Sequence, residues 1–287
     1  MTFSRILFPT DFSERSLAVI PYVRALRQRF ASSLTLLHVV HVPVTAYSSP
    51  NVPVALDLLL SEMKEGADER IVQLAATEFA GIAVKTLVEK GDPGSCIAKI
   101  AKENDIDLIM IPTHGHGAFR AALLGSVAAK TLHDATCPVW TAAHCEELGA
   151  NHLEWRNILC AIDTDSEAER LISVAAQLGA GSNAKVFLVH GVDSGDPRAE
   201  TYGGAEFTEF LKNRAREVIA EMQNRAGTNF AVCVESGRAR DVVRYAAIGH
   251  NADLVMIGRG VLPRFAGSLR SQASAIVRHA PCPVLSV

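Results

Sequence analysis

A chain of 287 residues is longer than one ordinary domain, and at about 100 to 200 residues per domain two domains are expected. With 48% hydrophobic and 21% charged residues and a formal net charge of −3, each half has enough apolar material for a core and no basic bias. That balance argues against nucleic acid as a partner, because phosphate backbones are bound through clustered basic surface.

Met1 to Arg5 lead directly into the apolar run Ile6 to Phe8, without the basic segment and long apolar stretch of an export signal. No apolar run approaches the roughly 20 residues needed to span a bilayer, so a cytoplasmic protein without a membrane partner is expected. Cys96, Cys137, Cys145, Cys160, Cys233 and Cys282 are scattered without a CxxC pair, which suggests neither a zinc knuckle nor a disulfide framework.

Short runs rich in Val, Ile and Leu alternate with segments of helical period. In chain order, strands are predicted near Ile6–Phe8, Leu34–Val39, Val84–Val88, Leu108–Ile111 and Val139–Thr141. A second set follows near Ile158–Ile162, Lys185–Val189, Ala231–Val234, Leu254–Ile257 and Val284–Val287. These runs are unbroken rather than alternating, as in parallel strands covered by helices on both faces. Helices are predicted over Glu14–Arg29 and Asp165–Leu178, after Ser and Asp residues suited to capping, and around Cys96–Glu103 after the break at Gly91-Asp92-Pro93. The three prolines within Val42–Pro53 predict an exposed loop.

The two sets are copies. Asp107-Leu108-Ile109-Met110-Ile111 returns as Asp253-Leu254-Val255-Met256-Ile257, an offset of 146 residues. Ala135-Thr136-Cys137-Pro138-Val139 returns as Ala280-Pro281-Cys282-Pro283-Val284; Ile6, Leu7 and Asp11 return as Ile158, Leu159 and Asp163; Leu37-His38 returns as Val189-His190. A period this long implies duplication of a whole domain, since solenoid repeats span only about 20 to 50 residues. The expected organisation is an α/β domain over 1–143, a linker over 144–154 and a second α/β domain over 155–287, each a doubly wound five-stranded parallel sheet.

Ligands of open parallel sheets bind beyond the carboxyl ends of the strands, where strand order reverses. The residues to read are therefore Pro9-Thr10-Asp11-Phe12-Ser13 after the first strand and Pro112-Thr113-His114-Gly115-His116-Gly117 after the fourth, followed by Leu124-Gly125-Ser126-Val127 at a helix start. A glycine-bearing loop ending at a helix N-terminus offers unpaired N–H groups and the positive end of the dipole, which suits phosphate. Loop glycines and a serine at a helix start are also ordinary architecture.

Taken together, Ile6-Leu7-Phe8-Pro9-Thr10-Asp11-Phe12-Ser13, Leu36-Leu37-His38-Val39, Thr113-His114-Gly115 with nine residues before Gly125-Ser126, and Cys137-Pro138-Val139 resemble the universal stress protein family. The second half resembles it too. Nucleotide-binding members carry Gly-x-x-Gly, nine residues, then Gly-Ser or Gly-Thr. The resemblance implies a Rossmann-like strand order of 3-2-1-4-5 and an adenine nucleotide, ATP with or without Mg, as ligand. It further implies that Asp11 bonds the ribose, that Pro9, Thr10 and Val39 line the adenine pocket, and that Gly115, Gly125, Ser126 and Val127 hold phosphates, with His114 in the family's Thr-His-Gly run. Pro112 stands where the motif has its leading glycine, which removes an N–H and fixes φ near about −65°. The family's habit of pairing terminal strands implies an intramolecular pseudo-dimer of Val139–Thr141 with Val284–Val287, open to further homodimerisation and to an unknown protein partner.

The second half departs further. Gly258-Arg259-Gly260 has glycines one apart, and six residues separate Gly260 from Gly267-Ser268. Counting back from the shared Cys-Pro-Val puts Arg270-Ser271 where Gly125-Ser126 sits, and Gly191 replaces Val39, so this second site reads as degraded.

No Walker lysine motif, Gly-x-Ser-x-Gly elbow or in-line carboxylate pair advertises catalysis, which leaves slow ATP hydrolysis as a minor reading. Loops lacking Ser-Gly-Gly-x-Asp-Ser argue against an ATP pyrophosphatase, and a lone Asp11 without a lysine after the fifth strand argues against a phosphoacceptor receiver. A scaffold binding no ligand is the remaining alternative. His114 and His116 lack a third and fourth metal ligand at matched spacing, and His38 and His190 read as structural.

Overall fold

Ile6, Leu7 and Phe8 are fully buried, as a strand covered on both faces requires, and form the centre of β1 (Arg5–Pro9). β1 pairs in parallel with β2 (Ser33–His41) on one side and β4 (Leu108–Pro112) on the other, with Leu7 opposite Thr35 and Ile109. β3 (Val84–Gly91) lies outside β2, and β5 (Val139–Ala142) outside β4, giving the order β3-β2-β1-β4-β5. The computed structural model describes residues 2–41, 53–113, 124–142, 154–165, 167–192, 204–258 and 268–287. It divides the chain into two units, Thr2–Ala142 and Ala143–Val287.

The second unit repeats the first. Its strands are β6 (Asn157–Ala161), β7 (Lys185–Val192), β8 (Ala231–Ser236), β9 (Leu254–Ile257) and β10 (Val284–Ser286), all parallel, in the order β8-β7-β6-β9-β10. The fold of each unit is therefore α/β, a doubly wound parallel sheet. Every predicted strand is present, with edges moved by up to three residues; Ile162 and Val287 fall just outside β6 and β10.

Asp107 and Asp253, prominent in the repeat, have a structural task. The Asp107 carboxylate accepts from the N–H groups of Ser4 and Arg5, both at 2.9 Å, and Asp253 accepts from Arg156 at 2.8 Å and Asn157 at 2.9 Å. Each carboxylate thus satisfies the entering backbone of the central strand, a use of charge-assisted bonding that recurs because the architecture recurs.

The helices of the first unit are α1 (Glu14–Leu17), α2 (Ile20–Phe30), α3 (Pro53–Glu78), α4 (Pro93–Glu103) and α5 (Ser126–Asp134). In the second unit they are α6 (Ala168–Ser182), α7 (Gly204–Ala226), α8 (Ala239–Gly249) and α9 (Ser268–His279). Three expectations need correction. The helix predicted over Glu14–Arg29 is broken between α1 and α2, because Pro21 has no N–H to donate to Leu17 and instead fits the first turn of α2. The helix predicted from Asp165 begins at Ala168: the Asp165 carboxylate accepts from Glu167 N at 3.0 Å, forming a turn ahead of the helix rather than its cap. Pro53, assigned to a loop, opens α3; residues 42–52, and all of the expected linker 144–154 except its last residue, lie outside the described residues.

Candidate functional site

The chain leaves β1 toward β2, while β4 flanks the other side of β1, so the carboxyl ends of these strands frame a crevice. A cleft of about 570 Å³ lies there, lined by Asp11, the β2 residues His38 to His41, Met63 of α3, Asp92 to Gly94, and Ser126, Val127 and Lys130 of α5. Four of the residues singled out from sequence, Asp11, Val39, Ser126 and Val127, are thus brought together.

The loop after β1 is held by its own polar groups. Thr10 N donates to Leu37 O at 2.8 Å, and Thr10 Oγ1 accepts from Phe12 N at 3.0 Å and Ser16 Oγ at 2.8 Å. Pro9, the last residue of β1 and opposite Leu37, and Thr10 are buried and are not among the residues that line the cleft, the Thr10 hydroxyl being engaged inside the fold. Asp11 Oδ1 accepts from Ser13 N at 3.0 Å and Ser13 Oγ at 2.6 Å, a local turn that orients the carboxylate while leaving it partly exposed. Phe12 adopts φ 60°, which a non-glycine residue holds at a cost. Its buried ring offsets that cost, stacked on His38 at 4.6 Å with the Arg70 guanidinium 4.5 Å from its centroid.

Across the crevice, Gly125 stands at the N-cap of α5 with φ −60° and ψ 148°, and its N–H donates to Thr113 O at 2.8 Å. No side chain caps this helix, so its first-turn N–H groups and the positive end of its dipole face outward beside the exposed Ser126. Pro112 ends β4 opposite Ala142 and is half-buried. His114 and Gly115 lie outside the described residues.

Sequence reasoning missed the third wall. Asp92 caps α4, accepting from Ser95 N at 3.0 Å, and also pairs with Lys130 of α5 at 2.7 Å. The hydrogen bonds from Lys130 and Ser95 hold the Asp92 carboxyl down at about 2, and the same partner pushes the Lys130 ammonium up. Gly94 makes room for this. A Cβ there would fall 2.8 to 2.9 Å from the Cβ, Cγ and Cδ of Lys130, so the lysine stem runs directly over the glycine. The Gly-Asp-Pro-Gly string signals a break and a cap, but nothing in it names a partner on another helix.

The second unit has a cleft of about 440 Å³ at the corresponding place, lined among others by Asp163, Thr164, Asp165, His190, Gly191 and Gln272. Two features set it apart. A Cβ on Gly191 would sit 3.1 Å from Ala239 Cα, so the start of α8 lies close against the position that Val39 holds in the first unit, although Gly191 still lines the cleft. Helix α9 has 12 residues against nine in α5, although both end at matching positions before Cys-Pro-Val. At 1.5 Å per residue its start is advanced by roughly 4.5 Å, and Arg270-Ser271 fall inside the helix rather than at its mouth.

Among the described residues, no group of three or more His, Cys, Asp or Glu is placed to hold a metal ion, and no helix is long and apolar enough to cross a membrane.

Two doubly wound parallel domains, each with a crevice at the strand switch point, define a class of α/β folds. Within it the lineage is clear: the model of the universal stress protein family matches residues 2–142 and again 154–287, and the chain belongs to that family. It is 33% identical over 138 residues to a universal stress protein of Thermus aquaticus, covering 46% of this chain and 98% of the relative. Against one of Methanocaldococcus jannaschii it is 27% identical over 150 residues, covering 48% and 93%. The crystal structure of a universal stress protein from Archaeoglobus fulgidus has the same fold, with a TM-score of 0.67 at 23% identity, covering 99% of this chain and 96% of that one.

Proposed function

We propose that this protein is a cytoplasmic stress-response or signalling component whose N-terminal domain binds one adenine nucleotide, ATP with or without Mg, while its C-terminal domain is a structural companion without nucleotide. The observation that carries the reading is a convergence in one crevice. The oriented Asp11 carboxylate, the apolar Val39 and the uncapped N-terminus of α5 with Ser126 face the same space of about 570 Å³. Such a set suits a ligand with vicinal hydroxyls, an apolar ring and an anionic tail. In the second unit a glycine, Gly191, stands where Val39 supplies the apolar side chain, and the helix start is advanced, which supports reading this cleft as lacking both the ring contact and the phosphate contact. Nucleotide occupancy would bias which protein partner the chain engages.

Native mass spectrometry of the full chain, purified without added nucleotide and then titrated with ATP and magnesium, tests this directly. One adenylate per chain is expected. Two per chain would overturn the assignment of the second domain, and none at millimolar ATP would overturn the reading itself.

A further inference from the structure

Lys130 has no task in the reading above. It is the one lysine or arginine among the described residues that line the first cleft, where Asp11 and Asp92 supply two carboxylates. Ser126 and Lys130 are four residues apart on α5, so they share a face, and side chains tilt toward the N-terminus of their helix. The ammonium reaches Asp92 Oδ1 at 2.7 Å, on the wall of the cleft that Ser126 also lines. Its stem is guided along that course by Gly94, the position where an added Cβ would collide with three of its carbons.

Its present partner holds it loosely. The Lys130 and Asp92 side chains are 44% and 45% exposed, and exposed ion pairs contribute little. Asp92 also accepts from Ser95 N at 3.0 Å, a capping bond within its own helix that does not involve the lysine. The ammonium is thus free to exchange one anionic partner for another without unravelling α4. A phosphate oxygen at the mouth of α5 is a stronger competitor, since phosphate carries more charge and more acceptor atoms than a carboxylate.

We infer that Lys130 leaves Asp92 when a nucleotide enters and takes up the terminal phosphates, making it the residue by which the cleft favours polyphosphorylated adenylates over the nucleoside. This rests on nucleotide binding by the first domain. Calorimetry on the full-length chain with ATP and, separately, adenosine tests it, using the wild type, Lys130→Met and Lys130→Arg. Lys130→Met is expected to weaken ATP by about tenfold and leave adenosine unchanged, with Lys130→Arg recovering most of the loss. An equal loss for both ligands, or unaltered ATP affinity in Lys130→Met, would overturn the role while nucleotide binding stands. A wild type that binds neither ligand would remove the underlying reading and this inference with it.

Discussion

The His38 ring nitrogen Nδ1 lies 2.8 Å from the Thr10 carbonyl oxygen. Because a carbonyl only accepts, Nδ1 carries the proton, and the ring ties β2 to the loop that holds Asp11. The second unit repeats the bond from His190 to Ile162 O at 2.9 Å, which explains why the histidine recurs although only one cleft is assigned a ligand. His38→Phe keeps the packing against Phe12 and leaves the carbonyl unpaired, so unfolding stability should fall by about 1 to 3 kcal/mol. Urea denaturation followed by circular dichroism measures it.

Asp11→Ala should weaken ATP binding by about tenfold, the loss of one charge-assisted hydrogen bond worth about 1.5 to 3 kcal/mol. Asp11→Asn separates binding from folding, because an amide oxygen still accepts from Ser13 N and preserves the turn. It should unfold like the wild type yet bind more weakly. Asp163→Ala, its counterpart in the second unit, should leave calorimetric affinity unchanged.

Gly125 adopts a backbone conformation open to any residue, so Gly125→Arg acts on the cleft rather than on the chain. Placing a long side chain at the mouth of α5 should cost about 3 kcal/mol of ATP affinity or more, on the order of a hundredfold. Thermal unfolding should be nearly unchanged, and isothermal titration reads the difference.

Asp92 couples the rim of the cleft to pH. Its folded pKa of about 2 lies below the ordinary 3.8, so its contribution to stability is present above pH 3.8 and disappears as pH falls toward 2. Exposure of the pair limits that contribution to about 0.5 to 1 kcal/mol. Asp92→Asn retains a capping side chain, so its deficit against the wild type should be visible near neutrality and vanish near pH 2, as equilibrium unfolding at the two pH values would show.

Gly191→Val would restore the residue type of Val39 without restoring a site. The new side chain meets Ala239 backbone atoms, so a stability loss of about 1 to 3 kcal/mol and no gain in nucleotide stoichiometry are expected. Differential scanning calorimetry and native mass spectrometry report the two outcomes.

The strands were legible because each is an unbroken apolar run, and burial of Ile6, Leu7 and Phe8 leaves the pattern no alternative. The break before α2 was legible in principle from Pro21, but helical periodicity on either side outweighed it. The start of α9 was not legible: two alignments differing by three residues are equally consistent with Gly267-Ser268 and Arg270-Ser271, and only the helix backbone separates them. Asp11 and Ser126 could be assigned because they belong to motifs that follow strands. Lys130 and Asp92 could not, because what joins them is the packing of α4 on α5, which local sequence does not encode.

The passage of Lys130 over Gly94 also constrains how the two halves can change. At the equivalent positions, Arg240 of α8 and Ala275 of α9, the large and small residues have traded helices. If α5 were copied onto α9 by recombination, a lysine would be introduced opposite Arg240, while the reverse copy would set an alanine against Gly94 and empty the space the lysine stem fills. A change on one helix of either pair therefore calls for a compensating change on its neighbour, and the two halves are expected to drift apart at these positions.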